Sequence, residues 1–194
     1  MATYTVFGQP SSPATLASDP ADYCMGMQFT LSQDASLTGI WFYSPSGAGG
    51  LPEQCGVYQV TGPGTGTLAA SQTSPAWSGI AGSGWIKATF DGGTTLTAST
   101  SYKVAVAWGF GVNHYGATAH YWDSGPGSGG ITSGPITAVN NATADGGQDT
   151  FTSGSAGVLT YPATSFNAGN YWVDVQVTIA GPASEQGLLL ATFP

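Results

Sequence analysis

The sequence has almost no positive charge. It contains no arginine and only two lysines, Lys87 and Lys103, against ten aspartates and glutamates, so its formal net charge is −8. Affinity for nucleic acids comes largely from lysine and arginine side chains that neutralise phosphates, and anionic membranes attract the same side chains. The composition therefore excludes nucleic acids and anionic membrane surfaces as partners.

Segments that direct a chain into or across a membrane are also missing. Residues 1–10 offer neither a basic region nor the apolar run of about 7–15 residues that a secretory signal needs. No stretch approaches the roughly 18 apolar residues of a membrane-spanning helix. We expect a chain that is made and used in the cytoplasm; the alternative is a secreted protein whose signal is not in this sequence.

Cysteine is scarce. Cys24 and Cys55 are the only two in the sequence. They would form one disulfide in an oxidising compartment and stay reduced in the cytoplasm. Sequence spacing does not show whether their Cα atoms come within the roughly 7 Å that a disulfide requires. The sequence leaves both alternatives open.

Motifs for catalysis and metal binding are absent too. His114 and His120 lack the spacing of a zinc motif, and the sequence contains neither C-x-x-C nor the G-x-S-x-G nucleophile elbow. Asp145 and Asp149 do not follow the pattern of a calcium loop. Asp174 lies in a predicted strand, and we expect a structural carboxylate that accepts hydrogen bonds from the backbone or a tyrosine. We therefore predict no catalytic residue, no metal and no cofactor.

What the sequence does contain is 41% hydrophobic residues, arranged in short β-branched and aromatic runs. Gly, Ser, Thr and Pro separate these runs at intervals of about ten residues, which is typical of a β-sandwich or barrel. Large apolar side chains alternate with other residues in two of these runs. The odd-numbered residues of 171–179 share one face of their strand, and the even-numbered residues of 102–108 share one face of theirs. The predicted strands are 4–7, 25–31, 37–43, 56–60, 67–71, 85–90, 94–98, 102–108 and 171–179.

These patterns predict an all-β protein with an antiparallel β-sandwich in a single domain of residues 1–180. No segment shows a helical period over ten residues. Two long glycine-rich loops are predicted at 124–141 and 143–157. Long irregular stretches of this kind are often functional, so we expect a binding surface there.

Aromatic residues are the richest chemical feature, with six tryptophans and nine tyrosines. Exposed Trp and Tyr side chains stack on sugar rings and anchor protein interfaces. Trp77 and Trp122 lie in predicted loops, and Tyr115 and Tyr121 are close to the second of them. We predict these four residues as ligand contacts.

The closing segment 165–175 reads SFNAGNYWVDV, and it is accompanied by 37–43 (LTGIWFY), 84–90 (GWIKATF) and 100–106 (TSYKVAV). Together these motifs resemble a family of bacterial β-sandwich domains of unknown function, found in actinobacterial extracellular proteins and in proteins of their phages. The likeness covers roughly residues 4–178. The resemblance implies a jelly-roll-like sandwich without established catalysis that binds carbohydrate or other cell-surface material.

The resemblance also suggests where the protein works. A nearly uncharged sandwich made in the cytoplasm fits a phage virion, as a capsid decoration protein or a minor tail protein that contacts host glycan. Its partners would be other virion proteins and copies of itself. The apolar segment 181–194 would serve as an assembly arm by strand addition, and its contact residues are predicted to be Leu188, Leu189, Leu190 and Phe193. The alternative is a secreted carbohydrate- or cell-wall-binding module.

Overall fold

The protein is described by a computed structural model that covers residues 1–8, 11–18, 21–44, 50–79, 84–109 and 114–180. The predicted assembly residues Leu188, Leu189, Leu190 and Phe193 lie outside these described residues. Within them the chain forms strands and turns, and no helix is long and apolar enough to cross a membrane. The strands are β1 (Ala2–Tyr4), β2 (Thr15–Ser18), β3 (Tyr23–Leu31), β4 (Ala35–Ser44), β5 (Gln54–Gly62), β6 (Thr65–Thr73), β7 (Trp77–Ser78), β8 (Gly84–Thr89), β9 (Thr95–Leu96), β10 (Ser101–Trp108), β11 (His114–Ala117), β12 (Ile131–Ser133), β13 (Ile136–Ala138), β14 (Asp149–Ser153) and β15 (Val173–Ile179).

The strands form two large antiparallel sheets and one small one. Sheet 1 has the order β1-β15-β4-β8-β7, and β9 also pairs with β4. Sheet 2 has the order β12-β13-β3-β10-β5-β6, and β14 also pairs with β3. The small sheet consists of β2 and β11, and it packs beside β4. The prediction of an all-β antiparallel sandwich is confirmed.

The core lies between sheets 1 and 2, and the alternation in the sequence explains why. Val173, Val175 and Val177 of β15 are fully buried on the inner face of sheet 1. Val104 and Val106 of β10 are fully buried on the inner face of sheet 2, in the same core cluster. Because successive side chains of a strand point to opposite faces, one apolar face of each strand suffices to form this core.

The two stretches predicted as glycine-rich loops contain three short strands. Ile131 lies in β12 and Ile136 in β13, and these strands form a hairpin at the edge of sheet 2. Phe151 lies in β14, which pairs with β3 over five residues. A run of three to five residues is too short to show a period of two, so pairing with β3 decides these strands rather than local sequence.

The first strand is shorter than predicted. Residues 4–7 were expected to be a strand, but β1 ends at Tyr4. The amide of Val6 donates to Asp174 Oδ1 and the amide of Phe7 donates to Asp174 Oδ2, both at 2.9 Å. The carboxylate of Asp174 thus takes the place of the backbone carbonyl groups that would accept these two hydrogen bonds in a β-sheet. The expected structural role of Asp174, with backbone N–H donors, is confirmed.

The two cysteines are free and buried. Cys24 pairs across the ladder with Ala107, whereas Cys55 pairs with Val106. Because Ala107 and Val106 are successive residues of β10, the two thiols lie on opposite faces of sheet 2. Burial raises the pKa of both thiols to about 12. Of the two alternatives, the structure therefore supports reduced cysteines.

Candidate functional site: an aromatic cleft

A cleft of about 430 Å³ opens where the small sheet meets β3, β14 and the segment that leads into β15. Hydrophobic and aromatic side chains dominate its walls, as in most ligand-binding clefts. None of its lining residues is charged. It is lined by Thr15, Ala17, Tyr23, Met25, Tyr115, Ala117, Ala119, Phe151, Phe166, Asn167, Gly169 and Tyr171.

Four of the lining rings interlock in a closed cycle. Tyr23 meets Tyr115 at a centroid distance of 6.0 Å, and Tyr115 meets Tyr171 at 6.0 Å. Phe151 closes the cycle, at 6.2 Å from Tyr171 and 5.6 Å from Tyr23. The four interplanar angles lie between 76° and 86°, so every contact is edge-to-face. Such pairs stabilise one another beyond area burial, and the cycle gives the cleft a preformed wall.

Phe166 supplies the exposed ring of the cleft. Phe166 is 64% exposed, whereas the other aromatic residues that the structure describes are buried or half-buried. Asn167 and Ala168, which follow it, have φ values of 51° and 43°, in the left-handed region that non-glycine residues rarely adopt. Strained backbone of this kind persists only where the surroundings fix it, and it is common at ligand-binding sites.

The surroundings of this segment do fix it. The amide of His120 donates to Asn167 O at 2.8 Å, and the amide of Trp122 donates to Ala168 O at 3.0 Å. Gly169 N donates back to Phe166 O at 3.1 Å. The turn at 119–124 therefore holds the rim of the cleft in a conformation that presents the Phe166 ring.

A buried carboxyl group lies behind the cleft. Asp149 precedes Phe151 by two residues on β14, and its Oδ2 accepts a hydrogen bond from the amide of Tyr171 at 2.7 Å. Asp149 is fully buried, and desolvation raises the pKa of this carboxyl well above its usual range, although the amide of Tyr171 and the charge of Lys103 lower it. Asp149 thereby holds the backbone of Tyr171 in place beside the cleft.

The tryptophan after Tyr171 is also held in an unusual conformation. Trp172 has a φ of 56°, which is rare for a bulky side chain. Its amide donates to Asn170 Oδ1 at 2.7 Å, and its indole Nε1 donates to Thr118 Oγ1 at 3.1 Å. The Trp172 ring packs against Phe7 in the core, at a centroid distance of 5.3 Å. These contacts fix the chain as it passes from the cleft into β15.

The structure brings one of the four predicted ligand contacts to the cleft. Tyr115 lines it, but Trp122 is 1% exposed and Tyr121 is 8% exposed, so the exposed positions expected for these two residues are wrong. Both rings pack against Phe7, with centroid distances of 5.9 Å and 6.1 Å. The turn that contains Tyr121 and Trp122 covers the end of the core, and the two side chains are buried against it.

Trp77 lies away from the cleft. It belongs to β7 rather than to a loop, its side chain is half-buried, and its indole Nε1 donates to Pro52 O at 2.8 Å. This hydrogen bond ties the edge of sheet 1 to the segment before β5. A ligand-contact role for Trp77 stays a prediction, and the cleft provides no support for it.

Four of the lining residues were not predicted as site residues, namely Tyr23, Phe151, Phe166 and Tyr171. Phe166 and Tyr171 belong to the closing motif, and this motif was the signal that could have identified them. Tyr23 and Phe151 lie outside it and carried no signal, because they meet only through the pairing of β14 with β3.

His120, Asp123 and Ser124 lie together at the surface, but they are not arranged as a catalytic triad. His120 Nδ1 lies 3.1 Å from Asp123 Oδ2, and Ser124 Oγ donates to Asp123 Oδ1 at 3.0 Å. The serine therefore binds the aspartate and not the histidine that would have to activate it. The hydrogen bond from His120 lowers the pKa of Asp123. The side chain of His114 is outside the described residues.

A buried lysine on the outer face of sheet 2 binds the loop segments that cover this face. Lys103 Nζ donates to Asp145 O at 2.6 Å, to Thr150 Oγ1 at 3.1 Å and to Pro162 O at 3.0 Å, and it lies 3.8 Å from Asp145 Oδ2. The Tyr161 ring covers it, with Nζ 4.8 Å from the centroid. Burial lowers the pKa of Lys103 to about 8, against the charges of nearby carboxylates. Because its donors are paired within the protein, this cluster is structural.

Asp145 and Asp149, the two acids compared with a calcium loop, have different hydrogen-bond partners. Asp145 Oδ1 accepts a hydrogen bond from Gly64 N at 2.9 Å on the outer side of sheet 2, whereas Asp149 lies beneath the cleft. In the part of the chain that the structure describes, no three His, Cys, Asp or Glu side chains come together as metal ligands.

The sequence matches the profile of a family described as "Domain of unknown function (DUF4082)" over residues 9–173. The chain belongs to this family. The matched residues include every residue that lines the cleft. Membership of an uncharacterised domain family was predicted and is confirmed, whereas a bacterial or phage origin stays a prediction. Neither the comparison with curated proteins nor the comparison with solved structures gives a match.

Proposed function

We propose that this domain binds a neutral glycan in the aromatic cleft and does not catalyse a reaction on it. The observation that carries the proposal is the combination of a preformed aromatic wall with the 64% exposed ring of Phe166 at its rim. Sugar rings present C–H faces that stack on aromatic rings. An exposed aromatic ring beside a preformed wall provides such a stacking surface.

The polarity of the cleft supports a neutral ligand. A charged ligand would require an opposite charge or a metal in the site, and no charged side chain lines the cleft. Asn167 offers an amide donor and an acceptor at the rim, next to the Phe166 ring. Hydroxyl groups pair with such amides without any change in charge.

The uncharged lining of the cleft also supports binding without catalysis. Glycoside hydrolysis generally uses two carboxyl groups about 5–10 Å apart on either side of the scissile bond. No carboxyl group lines the cleft, and the nearby Asp149 accepts a hydrogen bond from the amide of Tyr171. The cleft can therefore hold a sugar, but it has no acid and base with which to cleave it.

The test is binding to an array of neutral glycans, followed by calorimetric titration of the best ligand. Phe166→Ala should weaken binding by about tenfold, the scale of roughly 1.4 kcal/mol, and should leave the thermal midpoint unchanged because the ring is largely exposed. Leu68→Ala is the matched control, since Leu68 is 43% exposed on β6 and does not line the cleft. Absence of binding to every neutral glycan, or an equal loss in Leu68→Ala, would contradict the proposal.

We also propose a setting for this binding, namely the surface of a phage particle, as a capsid decoration protein or a minor tail protein. The support is the sequence: the chain is 6% charged, and the segment from Leu188 to Phe193 is apolar enough for an assembly arm. The alternative setting is a secreted or cell-surface carbohydrate-binding module.

Mass spectrometry of purified particles separates the two settings. Hundreds of copies per particle would support capsid decoration, a few copies would support a tail position, and none would rule out the virion. Deletion of residues 187–194 should leave the domain folded and abolish its incorporation. Normal incorporation of the truncated chain would contradict the role of the arm.

A further inference from the structure

One wall of the cleft belongs to the small sheet of β2 and β11. Within the described ranges this sheet shares no ladder with sheet 1 or sheet 2. Other contacts must therefore fix its distance from the opposite wall, which comes from β3, β14 and the segment before β15. A ligand contacts both walls at once only when this distance is right, so the residues that fix it also control affinity.

The two walls meet at Thr118, directly after β11, and Asn170, in the segment before β15. Each residue donates its amide hydrogen to the carbonyl oxygen of the other, and both N···O distances are 3.0 Å. Neither residue lines the cleft, but the residues on either side of each of them do, namely Ala117, Ala119, Gly169 and Tyr171. A displacement at this bridge therefore moves one wall relative to the other.

The hydroxyl group of Thr118 adds two hydrogen bonds at the same point. Thr118 Oγ1 accepts from the amide of Ala14, directly before β2, at 2.9 Å, and from the indole Nε1 of Trp172 at 3.1 Å. One side chain thus joins both strands of the small sheet to the segment that carries Trp172, whose φ is 56°. A hydroxyl oxygen has two lone pairs and can accept both bonds, whereas valine has a similar shape and can accept neither.

Aromatic rings also join the two walls, but they restrict the distance less. The Tyr115 ring of the small sheet packs edge-to-face on Tyr23 and on Tyr171, with both centroid distances 6.0 Å. Edge-to-face pairs are favourable over centroid distances of about 4.5–7 Å. Hydrogen bonds are favourable only over donor–acceptor distances of about 2.7–3.2 Å. The bonds at Thr118 therefore define the spacing more narrowly than the rings do.

We propose that Thr118 is a positioning residue of the cleft, whose hydroxyl group holds the two walls at the distance at which a glycan contacts both. This inference rests on the proposed function, since it concerns the affinity of the same cleft. Thr118 does not line the cleft, so its effect on affinity passes through the small sheet and not through contact with the ligand.

The test is calorimetric titration of the full chain with the glycan selected on the array. Thr118→Val removes the acceptor and keeps the shape of the side chain, so binding should weaken about tenfold. Thr118→Ser keeps the oxygen, and its affinity should stay within about twofold of the wild type.

Thr38→Val is the matched control. Thr38 is half-buried like Thr118, and its Oγ1 accepts from Gln176 Nε2 at 3.2 Å, but it lies on β4 and does not line the cleft. Urea unfolding should show similar losses of stability in the two valine variants, whereas only Thr118→Val should lose affinity. A change in stability alone therefore cannot account for the expected result.

Amide hydrogen exchange provides a second measurement that needs no ligand. The amides of β2 and β11 should exchange faster in Thr118→Val than in the wild type, and those of β10 should be unchanged. A wild-type chain that binds no glycan would overturn the proposed function and this inference together. If the wild type binds, the inference alone is overturned by normal binding of Thr118→Val, by an equal loss in Thr118→Ser or Thr38→Val, or by unchanged exchange in β2 and β11.

Discussion

The two fully buried carboxyl groups, Asp149 and Asp174, each tie an irregular segment to the sandwich, but they do so with different numbers of donors. Asp174 accepts hydrogen bonds from the amides of Val6, Phe7 and Val175 at 2.8–2.9 Å. Asp149 Oδ2 accepts one from Tyr171 at 2.7 Å, and Asp149 Oδ1 has no hydrogen-bond partner within the described residues.

The difference in donors bears on the pKa of each carboxyl group. Desolvation raises the pKa of both groups, but three N–H donors favour the carboxylate form of Asp174 and bring its pKa back to about 7. For Asp149 desolvation keeps the pKa well above the usual range, although one backbone donor, the amide of Tyr171, and the charge of Lys103 lower it. The comparison teaches that the local supply of N–H donors, and not burial alone, sets the pKa of a buried acid.

The largest expected effect is on the pH dependence of stability. For Asp174 the folded pKa of about 7 exceeds the ordinary value of 3.8, so the folded chain binds more protons than the unfolded chain between these values. The free energy of unfolding should therefore be highest near pH 4 and fall as the pH rises to 7. The loss from Asp174 is at most about 4 kcal/mol, at about 1.4 kcal/mol per pKa unit.

Urea unfolding at a series of pH values measures this slope, and Asp174→Asn should flatten it. Asp34→Asn is the control, because Asp34 is exposed and accepts a hydrogen bond from Ala98 N at the surface. A free energy of unfolding that rises from pH 4 to pH 7 would show that the two buried acids are not protonated more readily in the folded state.

The second prediction concerns Asp174, the carboxyl group that accepts three N–H hydrogen bonds. Asp174→Ala removes the acceptor of the amides of Val6, Phe7 and Val175, and buried donors without partners cost free energy. We expect the free energy of unfolding to fall by about 3 kcal/mol. Asp34→Ala, measured by the same urea titration, should cost less than about 1 kcal/mol. Equal losses for the two variants would mean that the Asp174 contacts contribute nothing beyond a surface hydrogen bond.

The third prediction concerns substitutions of Asp149, the other buried acid. Asp149→Asn keeps an oxygen that accepts from the amide of Tyr171 and removes a carboxyl group whose pKa burial raises. The free energy of unfolding at pH 4 should therefore change by about 1 kcal/mol or less, and the variant should gain stability relative to the wild-type chain as the pH rises to 7. Asp149→Ala removes this acceptor and should cost more. If Asp149→Asn were as destabilising at pH 4 as Asp174→Ala, the proposed difference between the two acids would be wrong.

The smallest effect is expected on ligand affinity, and it depends on the glycan proposal. Asp149→Ala frees the amide of Tyr171, whose ring belongs to the wall of the cleft, so glycan binding should weaken about threefold through poorer positioning. Asp174→Asn should leave the affinity unchanged, because Asp174 binds the segment at Val6 and Phe7 and does not line the cleft. Calorimetric titration of both variants with the same glycan compares them directly.

Much of the sandwich could be predicted because its long strands carry their own periodic signal. β10 and β15 alternate strictly, and the structure buries the predicted face of each. The shorter strands β12, β13 and β14 carry no such signal, because three to five residues become strands through pairing with an existing neighbour. The end of β1 could not be predicted locally, because the amides of Val6 and Phe7 donate to Asp174, more than 160 residues away in the sequence.

The cleft was harder to predict, and Trp122 and Phe166 show why. Both are aromatic residues outside strands, and a glycine follows each within three residues. The structure buries Trp122 against the core and leaves Phe166 at the rim of the cleft. Hydrophobicity is the same kind of signal in both cases, and only the position of the segment relative to the core decides which ring lies in the cleft.

By itself, the sequence determined an all-β sandwich with an almost uncharged surface, because alternation and composition are properties of each segment alone. The tertiary structure decided the cleft, since the rings of Tyr23, Tyr115, Phe151 and Tyr171 come from four different segments and interlock only once these are packed together. It also decided the surroundings that shift the pKa of each buried acid, because the donors to a carboxyl group come from distant parts of the chain.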